Sequence, residues 1–251
     1  MPRIISFRLA AACLLALSLT FAFAGVAAAK GPLADLRVVG AGGKVLAEKT
    51  VASANLSVKT SPKATCFGPE NGGSGDNVQV KANTALGLLL AGSRTTAALR
   101  PLLISDAFDF GLAVCGIGSS VAKDSSSWYL KVNHKSLPVS GDAAKIKAGD
   151  EVLWTLAATE APDYTYPDEL ALTAPASAKA GMAFTVRVWA YDEKGKRTPV
   201  EGAKVTGAAE PTGVDGRTTV TLSKPAKLGA RATGLIPSAR EAVCVGGKCP
   251  K

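Results

Sequence analysis

Short stretches of alternating apolar and polar residues, separated by Gly, Pro and Asp, recur along the chain after residue 30. A period of two is the pattern of half-buried β-strands. The clearest stretch is 182–191, whose predicted inward face carries Met182, Phe184, Val186 and Val188. The pattern therefore predicts a mainly β protein.

In the first half of the chain the pattern predicts a hairpin, further strands and one short helix. Asn83 or Thr84 is placed to cap this helix, its apolar residues run from Ala85 to Leu90, and Gly92 is expected to end it. Strands around a single helix indicate an α+β module with a sheet packed on that helix. The predicted strands are 34–40, 44–50, 55–60, 102–105, 110–115, 128–133 and 151–156.

The second half predicts a β-sandwich, because short strands recur there at regular spacing with Pro, Gly and Asp turns between them. A stretch rich in Pro and Tyr, 161–168, separates the two halves and is typical of a linker. The predicted organisation is a signal peptide at 1–29, a first module at 30–160, the linker at 161–168 and a sandwich at 169–251. The predicted strands of the sandwich are 182–191, 203–206, 217–222, 226–232 and 242–245.

The start of the chain has the features of a secretory signal peptide. Arg3 and Arg8 precede an apolar run from residue 9 to residue 26, and three alanines at 27–29 supply a cleavage site. The sequence therefore predicts a secreted, extracellular protein without a transmembrane anchor after cleavage. Association with the cell surface is left open.

Cysteine usage agrees with an oxidising compartment. Cys13 lies inside the predicted signal peptide, and the remaining four form an even number, which favours two disulfides among three arithmetically allowed pairings. Cys244 and Cys249 flank a flexible Val-Gly-Gly-Lys loop, so we predict that they pair with each other. Cys66 then pairs with Cys115.

The positive charge of the chain is concentrated near its C-terminus. Residues 30–175 hold 14 basic and 14 acidic residues, whereas residues 176–251 hold 13 basic and 6 acidic residues. This excess predicts attraction to anionic surfaces such as cell-wall polymers, although scattered charges also simply solvate a sandwich. A nucleic-acid partner is not expected.

The sequence offers little for catalysis. His134 is the single histidine, which excludes most hydrolytic triads and histidine-cluster metal sites. We therefore predict that the protein is not an enzyme. Trp128, Tyr129 and Trp154 are candidates for a flat apolar ligand face, and strand alternation places Tyr129 at the surface and Trp128 in the core.

Three motifs carry a resemblance to a known family. Residues 128–135 read W-Y-L-K-V-N-H-K, residues 149–154 read G-D-E-V-L-W, and a T-A-L helix start at 84–86 precedes both. Over residues 36–158 the chain resembles the extracellular modules related to the C-terminal domain of transcobalamin. The resemblance implies a β-grasp-like fold, which vertebrate relatives use to close over cobalamin, and a disulfide between Cys66 and Cys115 that tethers the Gly-rich loop.

The candidate ligand-binding residues lie on this predicted hairpin, where His134 replaces the glycine that is usual in the family. They are Tyr129, Asn133, His134 and Lys135, with His134 as a lower ligand to a corrin cobalt or a pH-sensitive contact. The P-V-E-G-A-K-V stretch at 199–205 is similar to bacterial Ig-like surface repeats. No cofactor is expected. Two alternatives stay open: a corrinoid, or a calcium ion held by Glu160, Asp163, Asp168 and Glu169.

Together these features predict a secreted, non-catalytic binding or surface-display protein that recognises a small ligand through its first module. The alternative is a wall-associated structural or adhesive protein that grips anionic polymers through its basic second half.

Overall fold

A computed structural model describes residues 30–123, 125–158 and 165–250. The predicted signal peptide, and residues 161–164 of the predicted linker, lie outside the described residues. The described residues form two large hydrophobic cores, one built by residues 34–154 and the other by residues 170–245, and a small third cluster of Val39, Leu153 and Ile236 joins the two halves. We call residues 30–158 the first module and residues 165–250 the second module.

The first module, over its described residues, contains one α-helix, α1 (Ala85–Thr95), three short 3₁₀-helices and ten strands. The 3₁₀-helices are Ala41–Gly43, Pro69–Asn71 and Ala97–Leu99. The strands are β1 (Lys30–Gly40), β2 (Lys44–Ala54), β3 (Leu56–Lys59), β4 (Asn77–Val80), β5 (Leu102–Ser105), β6 (Ala113–Ile117), β7 (Ser120–Val121), β8 (Ser126–Val132), β9 (Lys135–Ser136) and β10 (Glu151–Ala158).

The main sheet of the first module has the strand order β2-β1-β10-β8-β9. β1 and β10 are parallel, with Val38 opposite Trp154, and the other neighbours are antiparallel. Helix α1 packs against β1 and β2. This part of the module thus combines an N-terminal hairpin, a helix on its face and a later strand parallel to β1. Two smaller sheets, β3-β4 and β5-β6-β7, complete the module.

Helix α1 begins as the sequence predicts and ends later. The Thr84 hydroxyl accepts a hydrogen bond from the Gly87 amide at 3.1 Å, which confirms Thr84 as the N-cap. The expectation that Gly92 ends the helix is wrong, because α1 continues to Thr95. A Cβ atom at Gly92 would lie 2.4 Å from Leu36 Cδ2, so this glycine lets the helix approach the sheet closely.

The second module contains nine strands within its described residues. They are β11 (Glu169–Thr173), β12 (Ser177–Ala178), β13 (Ala183–Tyr191), β14 (Arg197–Pro199), β15 (Lys204–Val205), β16 (Arg217–Thr221), β17 (Ala226–Leu228), β18 (Ala230–Arg231) and β19 (Glu241–Val245).

Strand β13 is the centre of the larger sheet of the second module. It pairs with β11 along one edge and with β14 and β16 along the other. A second sheet, β12-β19-β17, and the pair β15-β18 supply the opposite side of the core. Val186, Val188 and Ala190 of β13 are buried, whereas Met182 precedes the strand and is 58% exposed. The inward face predicted for this strand is thus correct at its centre and wrong at Met182.

The prediction of a mainly β fold with one short α-helix is confirmed, since strands account for 46% of the structure and helices, including the 3₁₀-helices, for 9%. Both predicted disulfides are present: Cys66–Cys115, with 5.1 Å between Cα atoms, and Cys244–Cys249, with 4.1 Å. Among the described residues, the structure has no helix with the length and apolar character needed to cross a membrane.

Candidate functional site

A groove of about 300 Å³ lies on the first module beside strands β6, β8 and β10 and the segment 137–141. We call it the aromatic groove. Its lining contains no Lys, Arg, His, Asp or Glu among the described residues. Six of the residues that line it are Phe67, Phe110, Trp128, Leu137, Val139 and Trp154.

The rim of the aromatic groove exposes large apolar side chains. Phe67 is 54% exposed, Phe110 59% and Val139 48%. Phe108 packs edge-on against Phe67, with 5.5 Å between ring centroids, and stacks on Phe110 at 4.9 Å. The Cys66–Cys115 disulfide directly precedes Phe67 and fastens its loop to β6. Clustered exposed apolar groups of this kind mark surfaces that contact a partner or ligand.

The floor of the groove holds two indole rings. Trp128 faces Leu156 across the β8–β10 ladder and Trp154 faces Leu130, so both indoles project from the same side of the sheet. The Trp154 side chain is only 3% exposed, yet neither its Nε1 nor that of Trp128 has a hydrogen-bond partner among the described residues. An unpaired buried donor costs about 1–3 kcal/mol. Two residues that line the groove therefore carry unsatisfied N–H donors.

Two residues of the segment 137–141 complete this floor. The Ser140 hydroxyl is a further buried polar atom without a partner in the described part of the chain. A Cβ atom on Gly141 would lie 2.4 Å from Trp154 Cη2, so a glycine is needed for the backbone to cross the indole. The Gly141 contact shows that the segment is fitted to Trp154.

The turn between β8 and β9 has the predicted conformation. Asn133 and His134 have positive φ angles of 50° and 65°, as a two-residue hairpin turn requires. Asn133 donates to Asp150 Oδ1 and accepts from the Glu151 amide, both at 2.9 Å. Lys135 is exposed beside Gly195. None of Asn133, His134 and Lys135 lines the aromatic groove.

Tyr129 is not the surface residue that strand alternation predicts. It borders the aromatic groove but is only 8% exposed, and its ring stacks on Tyr166 of the second module with 3.8 Å between centroids. Burial raises the pKa of Tyr129 to about 12. The prediction was wrong because the second module covers the outer face of β8, which a local pattern does not reveal.

The same outer face carries a buried group of charges at the contact between the modules. We call Arg37, Lys131, His134 and Glu169 the junction cluster. Arg37 forms an ion pair with Glu169 of the second module and donates to the Pro237 carbonyl. Lys131 Nζ lies 3.9 Å from Glu169 Oε2. The Lys131 and Glu169 side chains are 1% and 2% exposed, so these charges depend on one another.

Further contacts fix Lys131 and His134 against the second module. Lys131 Nζ donates to the backbone carbonyls of Tyr191 and Asp192 at 2.9 and 3.0 Å. The His134 ring stacks on Tyr191 with 4.0 Å between centroids. Its Nδ1 lies 3.2 Å from a Glu169 carboxylate oxygen and its Nε2 lies 3.4 Å from one of Glu151.

The environment of Glu169 determines its ionisation. Burial alone would raise the pKa of this carboxyl. The contact with His134 and the positive charges of Arg37 and Lys131 outweigh burial and hold the pKa below its ordinary value. Desolvation, in contrast, lowers the pKa of Lys131. We conclude that Glu169 is the carboxylate that compensates the buried cations at the junction.

These contacts bear on the two cofactor alternatives. Both nitrogens of His134 face carboxylates and Tyr191 covers the ring, so the structure gives no support for His134 as a cobalt ligand. Glu169 faces cations rather than a vacant oxygen site, and Glu160 and Asp163 lie outside the described residues. The described part of the chain has no group of three or more His, Cys, Asp or Glu residues placed to hold a metal ion.

Sequence reasoning named Trp128 and Trp154 as candidates for a ligand face, and the structure brings them together in one groove. It missed the junction cluster. The available signal was Lys131, a cation on a strand otherwise rich in apolar residues. No family model, curated protein or solved structure matches this chain. The transcobalamin-like resemblance therefore stays a prediction, and the functional argument depends on the geometry.

Proposed function

We propose that this chain is a secreted, non-catalytic binding protein whose first module holds a small, largely apolar ligand in the aromatic groove. The observation that carries the proposal is the buried Trp154 N–H without a partner on the floor of that groove. The predicted signal peptide and the two disulfides support secretion.

The chemistry of the lining limits what the ligand is. An indole N–H only donates hydrogen bonds, so the ligand has to present an acceptor such as a carbonyl, ether or hydroxyl oxygen. The aromatic and aliphatic walls favour an apolar or planar body around that acceptor. The volume of about 300 Å³ lies at the small end of the range for ligand pockets.

The same lining favours binding over catalysis. Acid–base chemistry needs ionisable groups within hydrogen-bond reach of the reacting atoms. The groove has no carboxylate, imidazole or amine along its described lining. The ionisable side chains of Lys131 and Glu169 lie instead between the modules, on the other side of β8 from Trp128.

The test is a binding titration of the oxidised mature protein, followed by intrinsic tryptophan fluorescence and by thermal unfolding. The panel contains small planar apolar compounds in pairs that differ only in a carbonyl oxygen. We expect binding of the carbonyl-bearing members, with a rise in melting temperature. Absence of binding by every member, or equal binding of both members of each pair, would contradict the proposal.

Trp154→Phe keeps an aromatic ring but removes the N–H donor. We expect it to weaken binding about tenfold, the loss of roughly one hydrogen bond. Because the smaller ring also leaves space in the core, thermal unfolding of the free variant checks that it is folded. Trp189→Phe, in the second module, is the matched control and should leave affinity unchanged. Val139→Arg places a charge on the rim and should abolish binding.

A further inference from the structure

The outer face of the larger sheet in the second module presents arginines around a tryptophan. Arg187 and Trp189 are successive outward-facing residues of β13, and Arg217 of β16 lies directly opposite Arg187. The guanidinium carbons of Arg187 and Arg197 lie 3.8 and 4.6 Å from the Trp189 ring centroid. We call Arg187, Trp189, Arg197 and Arg217 the arginine surface.

The positive charges of this surface are only partly compensated. Like charges directly opposite each other on neighbouring strands destabilise a sheet, yet Arg187 faces Arg217. One carboxylate is near: Asp215 lies 3.6 Å from Arg217, and its backbone carbonyl accepts from Arg187 at 2.9 Å. Arg197 has no carboxylate partner among the described residues. The guanidinium groups of this surface are therefore still able to pair with an anion.

Trp189 prepares the guanidinium groups for such a contact. A guanidinium stacked on an indole keeps its planar fork of N–H donors at the edge, where it matches the two oxygens of a phosphate or carboxylate. Stacking also restricts the side chain before the ligand arrives, which reduces the entropy lost on binding. This arrangement differs from basic residues scattered on a solvated face.

We propose that the arginine surface binds a linear, phosphate-bearing polyanion. Successive outward residues on a strand are about 7 Å apart and neighbouring strands about 5 Å apart, so several guanidinium groups meet one short stretch of polymer. The excess of 13 basic over 6 acidic residues in 176–251 attracts such a polymer from a distance. This partner is additional to the ligand of the aromatic groove.

The residues around the arginines favour a polymer over a lipid bilayer. The neighbouring outward positions Thr185, Thr219 and Thr221 are exposed hydroxyl side chains, which donate to phosphate oxygens. A protein that lies on a membrane inserts apolar side chains beside its basic ones. These threonine positions offer none, and the exposed Met182 and Val214 that flank the surface along the chain are single residues rather than a patch.

The experiment measures binding of long-chain polyphosphate to the oxidised mature protein by calorimetry, at two salt concentrations. We expect R187A/R197A to weaken binding about tenfold or more and to reduce the salt dependence. The control K179A/K248A removes the same charge from exposed positions next to the other sheet, and should change affinity less than about twofold. Thermal unfolding of each variant checks that it is folded.

Substitutions of Trp189 form a second part of the same experiment. Trp189→Phe keeps a π face and should retain most of the affinity, whereas Trp189→Leu should lose it about as far as R187A/R197A does. If R187A/R197A and K179A/K248A lose affinity equally, net charge alone explains the binding and the proposal is overturned. So would binding only to vesicles of anionic lipid, or no binding by the unchanged protein.

Discussion

Glu169→Gln removes the carboxylate that faces Arg37 and Lys131 between the modules. Lys131 and Glu169 are 1% and 2% exposed, so the variant leaves buried positive charge without its counter-charge. Removing one partner of a buried ion pair costs about 3–5 kcal/mol. Lys131 retains its two bonds to backbone carbonyls, so we expect the lower end of that range, about 3 kcal/mol. For a protein of this size the melting temperature then falls by roughly 6–12 °C.

The measurement is calorimetric and urea-induced unfolding of the oxidised mature protein. Since the junction cluster joins the two modules, Glu169→Gln should also separate one cooperative transition into two. Glu201→Gln, an exposed position in the same module, is the matched control and should change the free energy of unfolding by less than about 0.5 kcal/mol. A melting temperature of Glu169→Gln within about 2 °C of the unchanged protein would refute the reasoning.

The difference in the free energy of unfolding between the unchanged protein and Glu169→Gln should depend on pH in a defined direction. The folded-state pKa of Glu169 lies below the ordinary value of 4.5. Its stabilising contribution is therefore complete above about pH 4.5 and is lost as the pH falls through the lower folded-state pKa. The stability difference between the unchanged protein and Glu169→Gln should accordingly be constant near neutral pH and shrink in acid. A difference that grows below pH 4.5 would contradict this assignment.

Three further predictions concern other parts of the fold. C66S/C115S opens a bridge spanning 49 residues and should cost up to about 4 kcal/mol, measured by urea unfolding without reductant; an unchanged midpoint would contradict this. Gly92→Ala brings a Cβ atom to within 2.4 Å of Leu36, so the free energy of unfolding should fall by about 1–3 kcal/mol. A more stable variant would show that the higher helix propensity of alanine outweighs this contact. Ultraviolet titration should reveal one tyrosine ionising near pH 12 that Tyr129→Phe removes, and its absence would argue against burial of that ring.

Features that depend on neighbouring residues were predictable from the sequence. The period of two located the buried centre of β13, and the cap at Thr84 follows from a hydroxyl placed three residues before a backbone amide. The turn at Asn133 and His134 follows from the tolerance of these residue types for positive φ. Each of these outcomes is set by local sterics or a local hydrogen bond.

Features that depend on distant partners were not predictable. Gly92 resembles a helix terminator, and only the position of Leu36 shows that it is a packing contact. Alternation places Tyr129 outward, but Tyr166 of the second module covers it. The candidate groove was foreseeable only as a set of aromatic residues, because the unpaired state of Trp154 Nε1 depends on where every neighbouring acceptor lies.

The parallel pairing of β1 with β10 has a consequence for how the chain folds. Asp35 pairs with Glu151, so the strand synthesised first in this module acquires its inner neighbour only after nearly the whole module has been made. Such distant pairing slows folding, because the entropy of closing a long loop is lost before the strand contacts can stabilise the chain. Until then β1 and β8 both present open hydrogen-bonding edges, which recruit strands from other chains. A chain cut before residue 151 should therefore aggregate, and chaperones would be needed longest during that interval.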